Sequence, residues 1–193
     1  MLLAKFLLFL EKINYLETME EKVNVWKANL KNGVILGMAG IIYSVLIYAL
    51  DLTLNQLQGY IFMVIQVVLL WYLLKSYRDN FLFGNITYGQ SVGAGVIICL
   101  YYAIISAAFA YLLYTVIDAG LIDKQLAFAE EKVMERGLPQ ASVDAAMAVQ
   151  RKLMTPGIIS LLSILGNMFW GLVISLVVGI FVKKEGNPLI DQY

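Results

Sequence analysis

Residues 90–116 read QSVGAGVIICLYYAIISAAFAYLLYTV, and no charged side chain occurs from Asn80 through Ile117. Whatever environment accepts this run decides the fold. It exceeds the roughly 20 apolar residues that cross a bilayer core. Lipid gives the backbone no hydrogen-bond partner, so such a segment must close its own bonds as a helix. Three further runs of the same character flank it, at about residues 32–53, 59–76 and 156–182. The first contains NGVILGMAGIIYSVLIYAL between Lys31 and Asp51, the second GYIFMVIQVVLLWYLL before Lys75, and the last ends at Lys183 and Lys184. These runs define an all-α integral membrane protein with four transmembrane helices.

Composition agrees with that class. The 193 residues are 61% hydrophobic and 15% charged, against about 45–50% and roughly 25% in soluble domains. Formal net charge is zero, so nothing in the balance attracts nucleic acid. There is no histidine, and Cys99 is the one cysteine. That excludes histidine acid–base catalysis, Ser–His nucleophiles, imidazole metal sites and an intrachain disulfide. Inside an apolar run the Cys99 thiol packs as a small hydrophobe and resists ionisation. No catalytic residue, metal site or cofactor is expected.

Lys and Arg near the span ends set the orientation. Lys22, Lys27, Lys31, Lys75, Arg78, Lys183 and Lys184 share one side, whereas the 1–2 loop LDLTLNQLQ carries no Lys or Arg. Both termini are therefore expected in the cytoplasm. Tyr60, Tyr111 and Tyr114 at the outer ends, with Trp71, Tyr72 and Tyr77 at the inner end, form candidate aromatic belts. The 3–4 loop, 119–154, then lies outside and reads as a helical hairpin. Its first helix aligns Ile122, Leu126, Ala129 and Val133 and stops at Gly137 and Pro139. Ser142 caps the second, whose face is Ala146, Val149 and Leu153.

The stretch GNITYGQSVGAG at 84–95 raises the question of a phosphate loop. Such a loop needs a strand before it and a lysine close by, and neither Lys nor Arg occurs from Asn80 through Ile122. Gly89 and Gly93 instead form a GxxxG pair, a device by which helix backbones approach closely in lipid. The same spacing recurs. Ser91, Gly95, Cys99, Ala103 and Ala107 line span 3, and Ser163, Asn167, Gly171, Ser175 and Gly179 line span 4. Span 1 offers Gly33, Gly37, Gly40 and Ser44. Residues four apart drift only about 40° around a helix, so each line makes a groove. Span 2 is bulky throughout, which places it at the periphery of a tight group of spans 1, 3 and 4.

Ionisable groups avoid the middle of every span, with Asp51 and Asp118 at the outer ends. That weighs against a proton-coupled pump. The polar candidates near the midplane are Gln66, Asn167, Tyr43 and Ser44, with the deep Trp170 one turn from Asn167. Gln66, Asn167, Trp170 and Tyr43 are read either as a structural polar layer or as the lining of a ligand cleft. Residues 1–21, which include MLLAKFLLFLEKINYL, are too short an apolar block to span. They are either an interfacial amphipathic helix or the product of an upstream start, with translation from Met19.

Trp26 with KANLKNGVILGMAGIIYSVLIY, then ITYGQSVGAG, LYTVIDAGLIDKQ, Pro156 and VKKEGNP resemble a family of bacterial four-span membrane proteins. It is catalogued as domain of unknown function 4199. The resemblance covers residues 22–188, with a tail of 189–193 beyond it, and YGQS and KKEGNP are its most specific segments. It implies the four-span topology and a bacterial inner membrane. It brings no established activity and no catalytic residues. It also implies gene neighbours encoding membrane glycosyltransferases, hence a partner of that kind. Many members have Asp-Pro where this chain has Asp118-Ala119, a departure expected to loosen the turn after span 3.

The leading expectation is a non-enzymatic scaffold or accessory subunit, bound to a membrane-protein partner or to a second copy of itself. The alternative is a lipid or lipid-linked-sugar handling or translocation protein, with membrane lipid in a cleft near spans 2 and 4. A scaffold has a filled interior, whereas a handler of lipid needs a cavity open to one side. An enzyme would have to work through Asp51, Asp118 or tyrosines at the outer surface.

Overall fold

The computed structural model describes residues 24–55, 57–137 and 139–185. The expectations for the 1–21 extension, a start at Met19 and the 189–193 tail fall outside these residues. In chain order the helices are α1 (Val25–Ala49), α2 (Leu57–Phe81), α3 (Tyr88–Leu112), α4 (Leu121–Met134), α5 (Gln140–Leu153) and α6 (Pro156–Val182). A π-helical turn, Leu113–Ile117, extends α3. The chain is all-α, and α1, α2, α3 with its π turn, and α6 are each long and apolar enough to cross a membrane. A 25-residue helix measures about 37 Å at 1.5 Å per residue, more than the ~30 Å hydrocarbon core. The helices accordingly run past the charges that bracket the apolar runs, and α1 and α2 carry Lys27, Lys31, Lys75 and Arg78 on their end turns.

Local chemistry explains the helix ends. Asn24 caps α1, its side-chain oxygen accepting from the N–H groups of Trp26 and Lys27 at 3.1 and 3.2 Å. Thr87 and Gln90 form a reciprocal capping box at the start of α3, which satisfies two otherwise orphaned donors. Pro156 opens α6 at a position where its missing N–H costs nothing. After α2 the chain reverses through Phe83 and Gly84, with φ of 51° and 81°. Only glycine takes such values without a steric penalty, and Phe83 carries that penalty with its side chain exposed.

Packing centres on α3, which lies between α1 and α6, while α2 touches the group more lightly. Ser91, Gly95, Cys99, Ala103 and Ala107 are all buried along α3, facing Gly171, Ser175 and Gly179 of α6. The approach leaves no room for a methyl group. A Cβ on Gly95 would lie 2.5 Å from the Ser175 hydroxyl, and one on Gly171 would lie 2.5 Å from the Cys99 Cβ. On the other side Gly33, Gly37 and Gly40 of α1 seat Tyr101, Ile105 and Tyr102 of α3. Without a hydrophobic drive between helices in lipid, this close packing is what holds them together.

Gly89 and Gly93 do not belong to the seam. Both are exposed, and a Cβ on either would meet nothing within 4 Å. They sit two residues from Ser91 and Gly95, and two residues rotate about 200° around an α-helix. Asn167 and Ser163, at the far end of the α6 line, are half-buried rather than packed into α3. Tyr77 is buried against the core instead of standing in an aromatic belt.

At the end opposite α4 and α5, the backbones of Ile86 and Lys184 exchange two hydrogen bonds, 2.8 and 2.9 Å. The Arg78 guanidinium donates to the Val182 carbonyl at 3.1 Å, and the Tyr88 hydroxyl donates to the Leu176 carbonyl at 3.1 Å. The residues just before and at the start of α3, Ile86 and Tyr88, and the end of α2 at Arg78 thus clasp the end of α6 and the residues after it, from Leu176 to Lys184. Among the described residues this bridge is the only strand-like pairing.

Helices α4 and α5 pack on each other through Leu121, Val143 and Met147, all buried. Ile122, Leu126, Ala129 and Val133 are half-buried, but Ala146, Val149 and Leu153 are exposed. The packed face of α5 is thus Val143–Met147, a second apolar line in the same alanine-rich segment. Ser142 lies inside α5, because the chain turns helical directly after Pro139.

Candidate functional site: a cleft between α2 and α6

The light packing of α2 leaves a cleft of roughly 520 Å³ against α6, lined by Gly59, Tyr60, Phe62, Met63 and Gln66 of α2, Asn167, Trp170 and Ile174 of α6, and Tyr102 of α3. Its mouth is at the bundle perimeter, where Tyr60 and Trp170 are 67% and 53% exposed. Glycine at position 59 leaves open space where another residue would project a side chain. Three of the four residues expected in a polar layer or cleft, Gln66, Asn167 and Trp170, thus come together. The fourth stands one layer behind them. Tyr43 packs on Phe62 at 5.0 Å between ring centroids, Phe62 packs on Tyr102 at 5.9 Å, and the Tyr43 hydroxyl donates to the Gln58 carbonyl.

Gln66 is the unusual member. It is 6% exposed, and its amide nitrogen Nε2 has no hydrogen-bond partner among the described residues. The Cys99 thiol is within reach of the amide but is a weak hydrogen-bonding group, and no bond to Nε2 is completed. A buried polar group left without a partner costs about 1–3 kcal/mol. Among the described residues no Lys, Arg, Asp or Glu lines the cleft. The site therefore has apolar and aromatic walls with two amide side chains, Gln66 and Asn167, among them.

Other polar groups serve the scaffold. Asn29 and Asn32 are buried at the start of α1, where Asn32 donates to Asn29 at 3.1 Å and to the Leu73 carbonyl of α2 at 3.5 Å. Placing the first span at residue 32 hid this pair from the sequence reading, although two asparagines three apart are a recognisable signal. Ser175 donates back to the Gly171 carbonyl at 2.6 Å. A second groove, roughly 740 Å³, runs between Asn24, Trp26, Tyr77 and Leu82 and the exposed side of α3 at Gln90 and Gly93.

At the other end Asp118 organises the turn after α3. Its carboxylate accepts from the Gly120 N–H at 3.0 Å, from Lys124 at 3.1 Å and from the Tyr48 hydroxyl at 3.4 Å. The Lys124 ammonium beside it holds the carboxyl below its usual range, and Asp118 in return raises Lys124. Alanine at position 119 thus leaves a turn held by side-chain bonds rather than a loose one.

The family model described as Protein of unknown function (DUF4199) matches residues 31–184. Neither a curated protein nor a solved structure matches the chain. The match runs from the end of the first α1 turns to the clasp at Lys184 and includes every residue of the cleft. The chain belongs to the DUF4199 family and is a multi-pass membrane protein.

Proposed function

We propose that this protein binds a membrane lipid laterally, in the cleft between α2 and α6, and that lipid handling rather than a purely structural role is its primary task. The cleft itself carries the reading: a lateral opening at the bundle perimeter with a buried, unpartnered amide at its base. A filled scaffold has no use for that donor, whose replacement by an apolar side chain would remove a cost of about 1–3 kcal/mol. The distribution of Lys and Arg supports a bacterial inner-membrane location with both termini cytoplasmic. In that orientation the cleft opens toward the outer leaflet, and α4 and α5 form an external hairpin.

The accessory-subunit reading has its own support in that hairpin. Met134, Val149 and Leu153 are large apolar side chains that it leaves exposed, which suits docking to a membrane-protein partner such as a glycosyltransferase. The two readings combine if the partner consumes or supplies the lipid.

The test is native mass spectrometry of protein released from mild detergent, comparing wild type with Met63→Trp and Asn167→Leu, both in the cleft wall. Wild type should retain a lipid at about one per chain, and Met63→Trp should lose it while keeping its helical content. Wild type free of lipid but carrying a stoichiometric protein partner would sink the reading in favour of a scaffold.

A further inference from the structure

We infer that the cleft selects an uncharged lipid that donates a hydroxyl to the Gln66 side-chain oxygen Oε1; the inference rests on the lipid-binding reading and deepens it. The two ends of that amide differ. The nitrogen Nε2 is sealed in the wall and reaches neither a partner nor the cleft, whereas Oε1 is not closed off. What Gln66 shows a ligand is therefore an acceptor, and the group that completes it is a donor. Among the described residues neither a cationic nor an anionic side chain lines the site. A phosphate or an ammonium brought there would lose its hydration without gaining a counter-charge, which is far more costly than burying a neutral group. The donor is accordingly uncharged.

Depth narrows the choice to a head group with a single hydroxyl. Gln66 is nine residues below Leu57, the first residue of α2, or about 14 Å along the axis. Half of a ~30 Å hydrocarbon core is about that distance. A hydroxyl carried so deep is costly unless it finds a partner, and Oε1 supplies one. Asn167, across the cleft on α6, has amide N–H donors for the lone pairs of the same hydroxyl. A sugar head group would bring more hydroxyls than two amides can satisfy, and it stays outside. Two kinds of lipid meet these terms: a diacylglycerol and a long-chain alcohol. Each joins one hydroxyl to apolar bulk, which suits walls made of Phe62, Tyr102 and Trp170.

The experiment titrates purified, delipidated protein and reads occupancy by native mass spectrometry. The probes are a diacylglycerol, a long-chain alcohol, the O-methyl ether of each, and a phosphatidic acid. Methylation removes the donor and keeps everything else, the ester carbonyls included. Wild type should bind one or both free hydroxyls about 10-fold more tightly than the matching ether, the size of one hydrogen bond, and phosphatidic acid no better than the ethers. Gln66→Leu should erase that preference while still binding the ether, an outcome that misfolding cannot imitate. Whichever hydroxyl lipid wins identifies the source, and either supports the inference. A preference that survives in Gln66→Leu, or tighter binding of phosphatidic acid than of either hydroxyl lipid, would overturn it. Equal binding of each lipid and its ether, lost in Met63→Trp, would overturn the hydroxyl selection and leave lateral lipid binding standing. Binding of none of the probes would overturn both.

Discussion

One helix, α6, meets its neighbours in two opposite ways. Toward α3 it presents Gly171, Ser175 and Gly179, and the backbones close until no methyl group fits between them. Toward α2 it presents Asn167, Trp170 and Ile174, and a gap of roughly 520 Å³ remains. The difference separates what holds the molecule together from where it stays open. Small side chains give up surface so that helices touch along their length. Large aromatic and amide side chains hold helices apart and leave a gap between them.

The sharpest way to break this comparison is to make the same substitution on both sides. Gly171→Leu drives a side chain into Cys99, where even a Cβ would be 2.5 Å from another carbon. Overpacking of this kind costs about 1–3 kcal/mol and sometimes more, and here the listing helix must part from α3 along the seam. Gly166→Leu, five residues earlier on the same helix, meets nothing within 4 Å. Thermal unfolding in detergent should show a large drop in midpoint for Gly171→Leu and none for Gly166→Leu. Equal drops would mean that the seam is not what holds α6 in place.

A smaller effect of opposite sign is expected in the cleft. Gln66→Leu removes the unpartnered amide from a position that is 6% exposed. In delipidated protein the variant should be more stable than wild type by about 1 kcal/mol, the lower end of what an orphaned buried group costs. A Gln66→Leu protein that is less stable without lipid would show that the amide has a structural partner.

The seam was readable because its signal is repeated. Five small residues at intervals of four on α3 fix a face, and all five are buried. Gly89 and Gly93 misled because a single pair of glycines specifies no face, and a shift of two residues turns the helix to its opposite side. Gln66 and Asn167 stood out as amides inside apolar runs, where burial is costly enough to demand a reason. The cleft around them was not readable. It arises from how far α2 stands from α6, and spacing along one chain carries no information about the distance between two helices. The packed line of α5 failed for a related reason. Val143–Met147 and Ala146–Val149–Leu153 are equally good helical lines, and only the position of α4 selects between them.

The smallest expected effect concerns the Asp118–Lys124 pair, which lies apart from both the seam and the cleft. The Asp118 side chain is 16% exposed, but its cover is its own turn and the Tyr48 hydroxyl, so water still screens the pair and its contribution is modest. Lys124 lowers the carboxyl of Asp118 from its ordinary 3.8, so this carboxylate stabilises the fold above that value and the contribution fades as pH falls through the lowered one. Asp118 raises Lys124 above its ordinary 10.5, so that half is present below 10.5 and is lost as pH rises through the raised value. Between the two limits the contribution is flat. Asp118→Asn keeps an acceptor for the Gly120 N–H, turns an amide N–H₂ toward the Tyr48 oxygen as donor, and cancels the charge. Wild type should therefore exceed the variant in thermal midpoint by a small constant margin between about pH 5 and 9, and the margin should shrink as pH falls below 3.8. A margin that persists in acid would assign the effect to the turn's hydrogen bonds rather than to the ion pair.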